Sequence, residues 1–365
     1  MQKVLFLPFL QIASGHHQVA DALSEYLTED GGKYDIKKVD ILQYSYGACE
    51  RLISKIYLSM IKNIPSFYSI LYKSNACRSR SHKNLLYDLL FHKSISALIK
   101  EENPDLIICT HALPSYLLNQ MKRKKMLNVP VVNSYTDFFI NSVWGITDVD
   151  YHFVPSEETK LFLLERGISQ EKIFVTGIPV HPKISTGRQE AQKKSSYKVI
   201  VSGGNLGVGP IEKMITHAGK TGRITYTILC GQNRTLFEKI TDLQHPNIVA
   251  ADYISCRDEM NRLYEEADLI LTKPGGVTIS ECLLKQLPIC LLKPLPGQEE
   301  MNQKFLLNQN LIINKDFAID FNNLDESLLL FLERSSPEKE KHLKAVSSFI
   351  NSQSNIRELM KKLTG

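Results

Sequence analysis

The sequence lacks most of the features that would tie a chain to oxidised, metal-bound or membrane-spanning chemistry. Its 7 cysteines are odd in number, at positions 49, 77, 109, 230, 256, 282 and 290, and no two stand in Cys-x-x-Cys spacing. That pattern excludes a disulfide framework, and Cys109, Cys230 and Cys290 lie in apolar, strand-like runs that read as buried free thiols in a reducing cytosol. No cluster with metal-ligand spacing is visible, so no metal is expected. No apolar run reaches the roughly 18 residues of a membrane-spanning helix. The apolar opening is short, broken by Pro8, and followed by Gln, Ser, Gly and His, which reads as a first buried strand and not a signal peptide. A cytoplasmic protein is expected, touching a membrane only from its surface. Net charge is +5, too little to imply nucleic acid, and no RNA-binding motif accompanies it. There is no internal repeat and no low-complexity tract.

One local scarcity points the other way. Between Arg51 and Leu98 the only acid is Asp88, against Arg51, Lys55, Lys62, Lys73, Arg78, Arg80, Lys83 and Lys93. Tyr, Ile, Leu and Met are frequent from Tyr44 to Lys93, and Leu52, Ile53, Ile56, Tyr57, Met60 and Ile61 recur at helical spacing. Such a stretch is either a core helix with a solvated basic face or a surface that docks on anionic lipid.

What is present is an alternation of short apolar strands and helices over 365 residues, long enough for two domains. Strands are expected at 3–8, 37–42, 106–110, 129–135, 151–155, 173–176, 197–202, 224–230, 247–251, 268–272 and 288–292, with 317–320 as a possible last one. Strand–helix alternation implies parallel sheets. The polar run 183–198 is the best linker. Domains are therefore expected at 1–185 and 195–335, with a helical tail at 336–365 broken near Pro337.

The densest signal lies between Ala267 and Gln303. Two strand–loop–helix units follow one another: Thr272-Lys-Pro-Gly-Gly276 breaks the first, and Lys293-Pro-Leu-Pro-Gly297 breaks the second. Both loops leave the carboxyl ends of strands, where open parallel sheets bind ligands. Gly275 and Gly276 carry no Cβ, so backbone N–H groups can approach an oxyanion, and the next helix adds its unpaired N–H groups and dipole. A phosphate or pyrophosphate suits that turn. Glu281, one helical turn on, is placed to accept two hydrogen bonds from a ribose diol, and Gln298 and Glu299 are placed to do the same for sugar hydroxyls. Ordinary βα turns punctuated by Gly and Pro would look alike, but two adjacent units with Glu and Gln at the helix starts favour a ligand. A second glycine loop, Gly203-Gly204-Asn205 to Gly209, opens the helix near Ile211 and is a weaker phosphate-type signal.

At the amino end, Ser14-Gly15-His16-His17 lies at the turn into a helix running from about residue 16 to 28. The helix dipole disfavours imidazolium there, so a neutral His16 is a usable general base; a capping or surface histidine would occupy the same position. His111 and Asp137 both fall at strand carboxyl ends, on the ligand side.

These residues resemble the processive diacylglycerol glucosyltransferases of Gram-positive bacteria. More distantly they are similar to plant monogalactosyldiacylglycerol synthases and to the bacterial enzyme that adds N-acetylglucosamine to lipid I. The marks are Gly15-His16-His17-Gln18-Val19-Ala20, Asn103-Pro-Asp-Leu-Ile-Ile-Cys-Thr110, Thr136-Asp-Phe138 with Trp144, Val149-Asp-Tyr151, Val175-Thr-Gly-Ile-Pro179, Thr272-Lys-Pro-Gly-Gly276 with Glu281, and Lys293-Pro-Leu-Pro-Gly-Gln-Glu299 with Asn302. The resemblance covers nearly the whole chain. It implies an α/β protein of the glycosyltransferase B (GT-B) fold, two Rossmann-like parallel-sheet domains facing across a cleft. The first would face the acceptor and the membrane, and the second would bind a UDP-sugar.

By the same resemblance Glu281 holds the ribose, while Gly275, Gly276 and Thr278, with Thr272, Lys273 and Pro274, form the diphosphate loop. Gln298, Glu299 and Asn302 hold the donor sugar, Tyr253 and Ile254 read the uracil edge, and Gly203, Gly204 and Asn205 add to the donor site. Gly15 counts among the substrate-binding residues, and His16 and Asp137 form the catalytic set, the step performed by Asp137 being left open. The implied reaction is an inverting transfer of a hexose, glucose or another, from a UDP-sugar to a lipid acceptor, diacylglycerol, without cofactor or metal, in glycolipid biosynthesis. The expected partners are thus a UDP-sugar, a lipid acceptor and the anionic inner face of the cell membrane, and no nucleic acid. Two departures lie on the acceptor side: Ala13 replaces the first glycine of the family's Gly-x-Gly-His, and Asn141 replaces a histidine between Thr-Asp-Phe and Trp. They keep open another lipid, a peptidoglycan precursor or a soluble metabolite as acceptor; a nucleotide-sugar-binding protein without catalysis is a separate alternative, against which the intact His16 and donor motifs argue.

Overall fold

Among the described residues, eleven short strands account for the architecture: β1 Gln2–Leu7, β2 Tyr34–Lys38, β3 Leu106–Cys109, β4 Val131–Ser134, β5 Tyr151–Val154, β6 Ile173–Val175, β7 Tyr197–Ser202, β8 Ile224–Leu229, β9 Ile248–Ala251, β10 Leu269–Thr272 and β11 Ile289–Leu291. The computed structural model describes residues 1–9, 15–29, 34–47, 85–187, 194–313, 321–333 and 337–364. Most of the basic stretch 44–93, the Ala13 departure and the possible strand 317–320 therefore lie outside the described residues.

The strands form two sheets, ordered β2-β1-β3-β4-β5-β6 and β11-β10-β7-β8-β9. Every pairing is parallel. Central strands such as β3 (Leu-Ile-Ile-Cys) and β10 (Leu-Ile-Leu-Thr) are buried at every position, because helices cover both faces of a parallel sheet. That burial makes them legible as uninterrupted apolar runs.

The expected strand at 37–42 is corrected: strand β2 ends at Lys38, and Ile41–Tyr46 is helical. Asp40 explains the change, since its carboxylate accepts from the backbone N–H groups of Leu42 and Gln43 and caps that helix.

The chain divides into two compact units. The first comprises residues 1–182, 296–298 and 353–365, and the second 183–295 and 299–352. The segment 336–365 is thus shared: the Pro337–Asn351 helix belongs to the second unit and the Ile356–Thr364 helix to the first. In the first unit, helix Ile356–Thr364 packs on helix Gly15–Thr28. Met360 is fully buried, Arg357 pairs with Glu29, and the hydroxyls of Tyr34 and Thr364 are 3.0 Å apart. In the second unit, buried Asp325 accepts from Gly219 N, Thr221 N, the Thr221 hydroxyl and the Tyr226 hydroxyl, which fastens helix Leu324–Glu333 to the loop before β8.

Candidate active site

In the first unit the site begins where β1, β3 and β4 end. Helix Gly15–Thr28 buries Val19, Ala20, Leu23 and Leu27, which sets His16 at its first turn. The Nδ1 of His16 lies 2.9 Å from the carbonyl oxygen of Thr110 and 3.0 Å from the Thr136 hydroxyl. A carbonyl only accepts, so Nδ1 carries the proton and Nε2 the lone pair. Burial pushes the His16 pKa down to about 4, opposed by the Thr110 carbonyl and reinforced by His17. The imidazole is neutral at physiological pH, as a base must be.

His111 meets the His16 ring edge-on with centroids 4.7 Å apart, and Phe9 stacks on its other side. Burial, with His16 beside it, holds His111 neutral as well. Its Nδ1 accepts from Leu113 N, so this histidine caps helix Ala112–Arg123.

Thr136 and Asp137 stand on a turn that is fixed from behind. Asn133 donates to Gly145 O at 2.7 Å, the Tyr135 hydroxyl meets His152 Nδ1 at 2.9 Å, and Ser115 exchanges hydrogen bonds with Gly145. A Cβ at Gly145 would lie 2.3 Å from Asn119 Cβ, so only glycine fits there. Asp137 is half-buried and accepts from the Gln298 amide, within the first unit, to which 296–298 belong. Asn141 turns inward on its own backbone: its Oδ1 accepts from Val143 N at 3.0 Å, a local turn in place of a titratable ring.

In the second unit the two glycine turns converge. Gly275 precedes helix Gly276–Leu284 with no side chain capping it, and nothing lies within 4 Å of where its Cβ would be. The space where a Gly275 side chain would project is thus open. Lys273 is almost fully buried, and its ammonium runs beside Gly204, whose φ of +73° needs glycine. The Gly203–Gly209 loop presses on the end of β8, where a Cβ on Gly207 would sit 2.0 Å from Cys230 O. Asn205 O accepts from Gln232 N, which ties this loop to the turn after β8.

Glu299 pairs with Lys273 at 3.1 Å and accepts from Leu295 N at 2.6 Å, so it joins the two loops. Asn302 donates to Pro274 O at 3.0 Å and clamps the glycine turn from below. Thr272 ends β10 fully buried, and Thr278 is half-buried on the following helix.

Glu281 is buried, with Tyr264 donating to Oε2 at 2.8 Å and Arg257 3.5 Å from Oε1. Burial raises its pKa, opposed by Arg257 and Tyr264. Tyr253 is exposed, its N–H taken by Asp252 Oδ1 at 2.7 Å, and Ile254 is half-buried beside it.

Sequence reasoning missed Thr110 and Thr136 as the partners of His16, and Arg257 and Tyr264 as those of Glu281. Thr110 and Thr136 were visible only as polar residues closing apolar strands; Arg257 and Tyr264 carried no sequence signal.

Residues 16–180 match the family described as monogalactosyldiacylglycerol (MGDG) synthase, and residues 199–361 match the glycosyltransferase family 28 C-terminal domain. The chain is 42% identical over 368 residues to the uncharacterised glycosyltransferase YkoN of Bacillus subtilis (strain 168), covering 100% of this chain and 97% of that protein. It is 26% identical over 311 residues to the processive diacylglycerol beta-glucosyltransferase of Bacillus cereus (strain 03BB102), covering 83% of this chain and 79% of the other. Among solved structures, Acinetobacter baumannii MurG superposes with a TM-score of 0.60 at 16% identity, over 100% of this chain and 99% of that one. S. aureus MnaA, solved with UDP, gives 0.57 at 13% identity, over 98% and 92%. The shared architecture is the GT-B fold.

Proposed function

The chain belongs to the glycosyltransferases that join an MGDG synthase domain to a family 28 C-terminal domain, and from that membership we propose that it transfers a hexose, glucose, from a UDP-sugar to the hydroxyl of diacylglycerol. The second unit takes the donor: the ribose diol donates to Glu281, Tyr253 and Ile254 border the uracil, and the diphosphate rests against the amino-terminal turn of helix Gly276–Leu284, beside Gly275. Lys273 supplies charge there without a metal. Gln298, which belongs to the first unit and donates its amide to Asp137, contacts the sugar.

The acceptor oxygen bonds to the anomeric carbon as the bond to the β-phosphate oxygen breaks, which inverts the carbon. The hydroxyl proton passes to His16 Nε2, and UDP leaves with the electron pair into preorganised N–H dipoles. The observation that carries this reading is His16, neutral and held by Nδ1 so that Nε2 is the basic atom. The B. cereus relative, named for diacylglycerol, supports the acceptor. The basic stretch 44–93 would hold the protein on anionic lipid at the inner face of the membrane.

A second reading keeps the chemistry and changes the acceptor to another lipid, a peptidoglycan precursor or a soluble metabolite. Asn141 favours it, because its side chain is spent on a local turn. Incubation with a panel of UDP-sugars and a membrane lipid extract, read by mass spectrometry, decides between them. A hexosylated diacylglycerol is expected; turnover confined to water-soluble acceptors would overturn the lipid assignment.

A further inference from the structure

The hydrogen bonds behind His16 come from two neighbouring strand ends, Thr110 after β3 and Thr136 after β4. They reach it across 94 and 120 residues of sequence, so the fold delivers them together. Among the described residues, the groups that hydrogen-bond Nδ1 are a carbonyl and a hydroxyl, with no carboxylate. Thr136 is itself buried, 5% exposed, and sits on the turn that Asn133, Tyr135 and Gly145 make rigid. A single N–H pointing between two oxygens is a three-centre arrangement: the carbonyl dictates the tautomer, and the hydroxyl limits rotation of the ring.

We propose that Thr136 is a positioning residue which, with the Thr110 carbonyl, does for His16 what a buried carboxylate does for other basic histidines. It aims Nε2 and stabilises the imidazolium by dipoles instead of by charge. This inference rests on the reading of His16 as the base. An ion-paired histidine is protonated more readily in the resting state. A dipole-backed one stays neutral while buried and accepts its proton only as the acceptor hydroxyl gives it up. The other titratable rings facing it, His17 and His111, add like charge if protonated, which reinforces the neutral resting state.

Three variants and one spectrum test this. In the unmodified protein, nitrogen-15 histidine NMR should show His16 protonated at Nδ1; protonation at Nε2 instead would overturn the proposal without any mutation. Thr136→Val removes the hydroxyl at nearly constant volume and should lower kcat by about tenfold or more, a part of the range for general-base catalysis. UDP affinity should stay unchanged and the His16 nitrogen signals should shift. Thr136→Ser should restore both rate and spectrum. Full activity in Thr136→Val, or equal loss in Thr136→Ser, would overturn the role of Thr136. His16→Ala separates the two levels: if that variant keeps full turnover, the base assignment fails, whereas a dead His16→Ala beside a fully active Thr136→Val removes only the positioning role.

Discussion

His16 and Glu281 are two buried ionisable groups whose burial pushes each toward its neutral form, and the consequences differ in sign. The folded pKa of His16 lies at about 4, below the ordinary histidine value near 6.5. Between those values the unfolded chain binds the proton first, so this histidine withdraws stability as pH falls from about 6.5 toward 4. His111 and His152 in the same unit are depressed by burial too and act in the same direction. Thermal melting of the protein should therefore drop over that window, while kcat/KM shows no base ionisation between pH 6 and 8; a base limb near 6.5 would contradict the buried geometry. Replacing His16 by Ala should cost roughly 10²–10⁴ in kcat with UDP affinity nearly intact. For Glu281 the folded pKa is raised, so the cost of its burial is felt above its ordinary range, where Arg257 and Tyr264 offset it. On the proposed donor reading, Glu281→Ala removes the acceptor for two diol hydroxyls. UDP affinity should fall roughly 30- to 100-fold, as for hydrogen bonds to a charged group; unchanged affinity in calorimetry would sink the ribose assignment.

Elements carry the site by where they stop. Strand β10 ends at Thr272 and strand β11 at Leu291, and the turns beyond them set Lys273, Glu299 and Asn302 into one linked loop pair. The sheet that holds these ends is braced at Asp325. Asp325→Ala leaves Gly219 N, Thr221 N and the Tyr226 hydroxyl without their acceptor, which should cost about 3 kcal/mol or more by denaturant unfolding. A loss under about 1 kcal/mol would mean that water replaces it freely. The strand ends were legible because parallel strands buried on both faces read as apolar runs closed by Gly, Pro or a polar residue, and the glycine turns were legible because backbone approach demands glycine. Helix Ile41–Tyr46 was not, because Ile41 and Leu42 fit either period and a cap from Asp40 decided it. The partners of His16 and Glu281 were not legible either. A hydrogen bond spanning 94 or 120 residues leaves no local periodicity to read.

Chain order and physical unit part company at the carboxyl end. The last residues, 353–365, complete the first unit and not the second. Ser354 N donates to Val175 O beside β6, Gln353 fills the space over Gly177, and helix Ile356–Thr364 buries Met360 against the layer that includes helix Gly15–Thr28. The sequence indicated a helical tail but not which layer it covers, since helical spacing names no partner. The helix that presents His16 therefore depends on the far end of the chain. Truncation after Ser352 uncovers Val175, Tyr34 and the outer face of helix Gly15–Thr28, and should cost the first unit at least the 2–5 kcal/mol typical of emptying one large buried site. The proposed donor residues Lys273, Gly275, Gly276 and Glu281 all lie in the second unit, which the cut leaves whole. Truncated protein should bind UDP with near-native affinity in calorimetry, lose most of its turnover, and be cleaved by protease within residues 1–182 before it is cleaved elsewhere. Equal loss of UDP binding and turnover would show that the second unit also needs the tail; native turnover would show that helix Gly15–Thr28 holds His16 without it.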